Sequence, residues 1–160
     1  MPDYRRPAVP GATIFFTVAL AERGSRLLVE RVDVLREAVR ATRAERPFRV
    51  EAWVVLPDHL HCVWTLPDGD SEYSVRWGAI KARFTRGLEA GERRPSHVAR
   101  REKGIWQRRF WEHHVRGPDD LAGCVRYCCI NPVKHRFAER PEDWPYSSVH
   151  QAVRGGTYSP

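Results

Sequence analysis

The run VVLPDHLHCVWTLP, residues 54–67, carries two histidines, His59 and His61, one residue apart in an otherwise apolar segment. In a β-strand alternate side chains project to the same face. His59 and His61 would then stand together with Val63 and Thr65, while Leu60, Cys62, Trp64 and Leu66 point the other way, into a core. Two imidazoles so placed can chelate one metal ion. Two surface histidines on an edge strand would have the same spacing, so a third ligand has to decide. The segment PDDLAGCVRYCCIN supplies a candidate: Tyr127 and Asn131 lie four residues apart and share one face of a helix. Asp120, Gly123 and Lys134 fall roughly along that face, and Leu121, Cys124, Val125 and Cys128 form the apolar one. An asparagine oxygen with two imidazoles makes a mixed N/O set that suits a hydrated Mg²⁺ or Mn²⁺. Asn131 before Pro132 would equally serve as a simple helix end. Gly123, one turn before Tyr127, would leave open space beside the phenol.

A competing metal set uses Cys62, Cys124, Cys128 and Cys129. Their spacings fit no zinc-finger pattern, and Cys62 alternates away from the histidines. Buried free thiols are the expectation.

The charge pattern points to a polyanion. The 160 residues carry a net +7, but residues 76–116 hold twelve Lys/Arg against four Asp/Glu, a local +8; the rest of the chain holds fifteen against sixteen. Trp77, Phe84, Trp106, Phe110 and Trp111 interleave with that band. Basic groups among flat side chains suit the phosphate backbone and unstacked bases of a nucleic acid. A solvated basic surface would look the same by composition. No apolar segment approaches the ~20 residues of a membrane span. The N-terminal MPDYRRPAVPG lacks the apolar core of a signal peptide. A cytoplasmic location with reduced cysteines is expected.

The elements that must position these residues follow from periodicity. ATIFFTVAL (12–20) reads as a strand, VDVLREAVRATRAE (32–45) as an amphipathic helix, and FRVEAWVVLP (48–57) and HLHCVWTLP (59–67) as strands joined by a turn at Pro57-Asp58. Between residues 68 and 91, Tyr73, Trp77, Ile80, Phe84 and Leu88 form the core stripe of a second helix, with Arg76, Arg83 and Arg86 on a different face. Residues 91–104 form a basic loop, and IWQRRFWEHHV (105–115) a fourth strand. Pro118, Asp119 and Asp120 open a last helix that Pro132 ends or kinks, and a turn-rich tail from about 136 to 160 packs back. The order β-α-β-β-α-β-α predicts one α+β domain: a ferredoxin-like antiparallel sheet with helices on one face, plus the added C-terminal helix.

These residues also carry a resemblance. HLH inside an apolar strand is similar to the His-hydrophobic-His motif of the HUH endonucleases. YCCINPVKH resembles the Tyr-x-x-x-Asn-Pro-Val stretch of the REP-associated tyrosine transposases, relatives of the single-tyrosine transposases of small bacterial insertion sequences. MPDYRRPAVPGATIFFTV, AWVVLPDHLHCVWTLP, GIWQRRFWEH and RPEDWPYSS resemble stretches of that family in the same order, so the likeness spans nearly the whole chain. One departure stands out: Cys128-Cys129 occupy the place of the family's common Ile-His pair.

The resemblance implies a metal-dependent endonuclease and strand transferase for DNA transposition. Tyr127 would be the nucleophile, and His59, His61 and Asn131 the ligands of a Mg²⁺ or Mn²⁺ ion. The product would be a 5′-phosphotyrosine and a free 3′-hydroxyl. The substrate would be single-stranded DNA with a palindromic hairpin. Backbone contacts would come from Arg76, Lys81, Arg83 and Arg86, from Arg93, Arg94, Arg100, Arg101 and Lys103, from Arg108 and Arg109, and from Lys134 near the cut. The alternatives are a non-catalytic hairpin-binding regulator, or an HUH replication initiator, which would show a second domain or tyrosine. Monomer and homodimer are both compatible with the sequence.

Overall fold

The structure, a computed structural model, describes residues 4–88 and 104–151. Strand β1 (Thr13–Ala19) is followed by a short helix α1 (Leu27–Glu30) and by α2 (Val32–Glu45). Strands β2 (Arg49–Val55) and β3 (His59–Thr65) form a hairpin, closed by the Leu56 amide donating to the His59 carbonyl across Pro57-Asp58. Helix α3 (Tyr73–Arg86), strand β4 (Trp111–His114), helix α4 (Pro118–Lys134) and a 3₁₀ turn (Pro141–Asp143) complete the order. The sheet runs β2-β3-β1-β4, with every neighbouring pair antiparallel. Strands β1 and β2 therefore run parallel with β3 inserted between them, the split β-α-β unit expected from the sequence.

Alternation along β1 and β3 divides the sheet into two faces. Ile14, Phe16 and Val18 of β1 and Leu60, Cys62 and Trp64 of β3 face α2 and α3, where Leu35, Trp77, Ile80 and Phe84 complete a closed core. Trp64 stacks on Trp77 with ring centroids 4.4 Å apart and on Phe48 at 4.1 Å. Such pairs add about 0.5–1.5 kcal/mol each beyond the area they bury.

The opposite face carries Phe15, Ala52, Val54 and Val63, and α4 lies across it through Leu121, Cys124, Val125 and Cys128. Cys128 and Cys129 are buried, and burial pushes both thiols well above their ordinary range. They act as small apolar fillers, and the thiolate-site alternative has no support in their placement.

Two sequence expectations change, and the packing of the tail is made specific. The fourth strand is shorter than residues 105–115: only Trp111–His114 pair with β1, because the chain from Gln107 leaves the sheet after an isolated bridge between Leu20 and Trp106. Helix α4 does not end at Asn131 but continues through Pro132 to Lys134. A proline there forfeits one backbone donor, and the following turn holds through His135 donating to the Asn131 carbonyl. The tail covers the outer edge of β2: Val55 donates to Tyr146, Ser148 donates to Trp53, and the Trp144 indole donates to the Val55 carbonyl. That pairing removes an exposed sheet edge.

Candidate active site

The site grows from one row of the sheet. Register places Val54, His61, Thr17 and Trp111 side by side across β2, β3, β1 and β4. The next row holds Ala52, Val63, Phe15 and His113. All point toward α4, which returns Tyr127, Asn131 and His135 above them at intervals of four residues.

The rings interlock. Tyr127 meets His61 edge-on at 5.1 Å and Phe15 at 5.7 Å; His59 meets His61 at 5.0 Å and His135 at 5.3 Å. Tyr127 thus contacts one end of the histidine pair and His135 the other. Asn131 is midway between them on the same helical stripe and is fully buried.

Each histidine of the pair is oriented from behind. His59 Nδ1 donates to the Asp58 carboxylate at 2.7 Å, and His61 Nδ1 is 2.8 Å from the Thr17 hydroxyl. Burial raises the Asp58 carboxyl, but the His59 hydrogen bond and the Gly24 amide outweigh it and hold the group below its usual range. His61 is buried, and burial together with the neighbouring His59, His135 and Lys134 lowers its pKa to about 3. The imidazole therefore stays neutral at neutral pH, the form that binds metals.

The donors left over fit a divalent cation. His61 Nε2, Asn131 Oδ1 and Asn131 Nδ2 are buried without a hydrogen-bond partner. Buried polar atoms without partners are costly and rare, and a cation on two nitrogens and an amide oxygen would satisfy the acceptors. With Nδ1 engaged in both rings, Nε2 is the nitrogen each can offer, the usual arrangement behind a metal-bound histidine.

Beside the pair opens a cavity of about 520 Å³. Phe15, Thr17, His61 and Tyr127 line its inner end, and Trp111, His113, Asp120, Gly123 and Cys124 its outer end. A Cβ built on Gly123 would meet nothing within 4 Å, so the glycine keeps this wall open. His113, Asp120 and Cys124 form a second compact donor group, their ligand atoms within 4.8 Å of one another. Of the two groups, the His59, His61 and Asn131 donors are the set suited to a divalent metal.

The other tyrosines are placed elsewhere. Tyr73 is a core residue whose hydroxyl donates to the Pro7 carbonyl, and Tyr4 donates to Glu112. Tyr146 packs on Trp144 at the β2 edge, and Tyr158 lies outside the described residues. Among the described tyrosines, only Tyr127 lines the cavity.

The basic residues sort unevenly. Arg76 requires correction: it is 1% exposed. Its guanidinium donates to Asp70, to the Arg46 and Pro47 carbonyls and to the Glu72 carbonyl. It ties α3 to the loop after α2 and cannot reach a phosphate. The heptad-like spacing hid this, because a buried arginine and a surface arginine look alike in sequence. Lys81 donates to the Gln107 carbonyl, and Arg83 bonds Thr42 and Glu45. Both belong to the α2/α3 layer, on the far side of the sheet from Tyr127. Arg86, Arg108 and Arg109 are exposed. Lys134 is exposed, with its ammonium 5.1 Å from the Tyr127 ring centre. Arg93, Arg94, Arg100, Arg101 and Lys103 lie outside the described residues.

Sequence reading missed Thr17, Asp58, His113 and His135 as site residues. His135 was within reach, since it continues the 127–131 stripe by four residues. Thr17 and His113 were not, because their place depends on strand register.

A split β-α-β sheet that carries a paired-histidine row beneath a helix-borne tyrosine defines the protein as an HUH-type nuclease. No family model matches the chain. It is 44% identical over 158 residues to the REP-associated tyrosine transposase of Escherichia coli K12, covering 99% of this chain and 88% of that protein. A Haemophilus influenzae protein assigned to the same family is 41% identical over 160 residues, covering 99% and 91%. A solved structure of a REP-associated tyrosine transposase bound to a REP hairpin superposes with a TM-score of 0.85 at 44% identity, over 99% of this chain and 89% of that one. The chain belongs to the REP-associated tyrosine transposases, enzymes that cut and join DNA. Among the described residues no helix is long and apolar enough to cross a membrane.

Proposed function

We propose that this transposase nicks and rejoins single-stranded DNA beside a palindromic REP-like hairpin, in the cytoplasm, with Tyr127 as nucleophile. The observation that carries the reading is the Tyr127 ring set 5.1 Å from His61, whose buried Nε2 has no partner. The solved relative held on a REP hairpin supports the substrate class.

His59, His61 and Asn131 would hold a Mg²⁺ or Mn²⁺ ion. When bound, that ion makes a phosphate more electrophilic and stabilises its developing charge. The chain's own residues do the rest. Asp58 holds the His59 imidazole in its Nδ1–H form, and Thr17 engages His61 Nδ1, which leaves Nε2 as the free nitrogen of each ring. Phe15 and His61 fix the Tyr127 ring at the wall of the cavity. A free phenol, with a pKa of ~10, is mostly protonated at neutral pH and weakly nucleophilic. The Lys134 ammonium over the ring favours charge on the phenol oxygen as its proton leaves to water. Tyr127 Oη then forms a bond to phosphorus while the P–O3′ bond breaks, and the departing oxygen takes a proton to become the 3′-hydroxyl. The 5′-phosphotyrosine conserves the phosphodiester bond energy, so attack by a 3′-hydroxyl rejoins DNA without ATP. Arg108, Arg109 and Lys134 are exposed and would hold the DNA backbone, and exposed Arg86, on the α3 side of the sheet, would meet only DNA farther from the cut; Arg93, Arg94, Arg100, Arg101 and Lys103 are proposed from sequence to join them.

The test uses genomic hairpins with single-stranded flanks and Mg²⁺ or Mn²⁺, resolved on a denaturing gel. A covalent protein–DNA band is expected, lost with a chelator and lost in His59→Ala and His61→Ala. Both variants should retain most hairpin affinity, and Asn131→Ala should cleave slowly. Wild-type cleavage by either histidine variant at saturating DNA would overturn the metal assignment. Hairpin binding with no covalent band under any metal would favour a non-catalytic regulator.

A further inference from the structure

The outer end of the cavity is not used by the chemistry above, and its lining is specific. Trp111 stands at the outer end of its sheet row, on edge strand β4, and is 58% exposed. Its indole lies parallel to the His113 ring, at 8° and 6.2 Å between centroids, and edge-on to Phe15 at 5.8 Å. The indole is thus held from two sides while its outward face stays bare. Asp120 lines the same cavity, and its Oδ2 accepts from His113 Nε2 and from the Arg116 amide, both at 2.8 Å. Asp120 Oδ1 has only the weak Cys124 thiol, at 3.9 Å. The Arg116 amide and His113 keep this carboxylate ionised, and burial keeps the Cys124 thiol protonated with a pKa near 11. A protonated thiol and an imidazole already bonded to Asp120 make a poor metal set. They leave one carboxylate oxygen as an acceptor in a cavity that the flat Trp111 ring also lines.

We propose that this cavity takes the unstacked base of the nucleotide adjoining the scissile phosphate, stacked on Trp111 and read at its N–H edge by Asp120. The proposal rests on the strand-cutting reading, because Tyr127 and His61 form the inner end of the same cavity. Stacking on an aromatic tolerates any base, so selection falls to Asp120. A carboxylate oxygen accepts and cannot donate, which favours bases with N–H donors at the edge. Guanine offers two adjacent donors, N1–H and the 2-amino group, for the two lone pairs of Oδ1. Thymine flanks its one N–H with carbonyl oxygens that repel a carboxylate. Gly123 at the wall keeps room that a side chain would fill.

The experiment first maps the cut, then compares hairpins that differ only at the adjoining nucleotide on each side: guanine, adenine, cytosine, thymine or an abasic site. Adduct formation should be fastest with guanine and fall roughly 5- to 150-fold for the abasic site, the loss of one base–aromatic stack. Trp111→Ala should bring every base down to the abasic rate, and Trp111→Phe should restore most of the difference. Asp120→Asn, which adds a donor, should erase the guanine preference while retaining the abasic defect. Binding is read separately with 2-aminopurine at the same position in a Tyr127→Phe protein: its fluorescence should be quenched, and Trp111→Ala should relieve the quenching. Equal rates for guanine and the abasic site at both positions, with 2-aminopurine unquenched, would overturn the proposal while leaving Tyr127 chemistry intact. If no substrate forms an adduct, the strand-cutting reading fails, and the quenching result alone decides whether the cavity binds a base.

Discussion

The two faces of the sheet are built from the same four strands to opposite specifications. The face under α2 and α3 is closed. Its aromatic rings stack on one another, and the buried Arg76 is fully engaged by Asp70 and by carbonyls. The face under α4 is left open beside Tyr127 and keeps polar atoms without partners at His61 and Asn131. On the closed face Trp77 Nε1, Trp106 Nε1 and His114 Nε2 also lack partners among the described residues, but none of them lines the cavity beside Tyr127. The difference teaches that stability is concentrated on one side, so the other can keep unsatisfied donors and acceptors where a substrate belongs.

Substitutions on the two faces should therefore fail in different ways. The largest effect is expected at Tyr127. Tyr127→Phe removes one oxygen and keeps the ring contacts to Phe15 and His61. It should bind hairpin DNA as wild type does and form no covalent adduct, with an unchanged melting temperature. Tyr146→Phe should stay active, and mass spectrometry of the adduct should locate the nucleotide on Tyr127. A nucleotide on Tyr146 would break the assignment of function to the open face.

On the closed face the order of effects reverses. Arg76→Ala leaves three carbonyls and the Asp70 carboxylate without their donor. It should lower stability by about 3 kcal/mol, roughly 6–12 °C in melting temperature, as read by calorimetry. Adduct formation by the folded fraction should be unchanged. A weaker salt dependence of DNA binding in this variant would return Arg76 to the DNA footprint.

A smaller effect tests how the open face is supported. Thr17→Val keeps volume and removes the hydroxyl that orients His61. Metal affinity should fall about 10- to 100-fold, measured by titrating Mn²⁺ into the cleavage reaction, and Thr17→Ser should restore it. An unaltered Mn²⁺ dependence would show that packing against Phe15 alone holds the ring.

The smallest effect is one of pH. The hydrogen bond from Arg76 holds the Asp70 carboxyl at about 2, below its ordinary 3.8. A depressed carboxylate contributes stability above its unfolded pKa and loses it as pH falls through the folded value. Wild type should lose this contribution between about pH 4 and pH 2. Asp70→Asn should be less stable at neutral pH and show a flatter acid profile over that window by circular dichroism.

Much of the fold and part of the site were legible in the chain. Period-two alternation in HLHCVWT assigned His59 and His61 to one face and Leu60, Cys62 and Trp64 to the other, because a strand's pleat permits nothing else. The four-residue offset of Tyr127 and Asn131 put both on one stripe of α4, because 3.6 residues complete a turn. The apolar positions of α4 likewise predicted which side would dock.

What remained hidden is what depends on pairing between distant segments. That Thr17 faces His61, and Trp111 faces Thr17, follows from strand register, where a slip of one residue would turn each side chain to the other face. That α4 crosses the face opposite α2 and α3, bringing Tyr127 onto His61 and His135 onto His59, follows from the packing of whole elements. Arg76 shows the same limit: its charge suggested a phosphate, and only burial against Asp70 revealed a structural tie. Local periodicity determined which residues share a face; tertiary packing alone decided which faces meet, because that choice rests on contacts far apart in the chain.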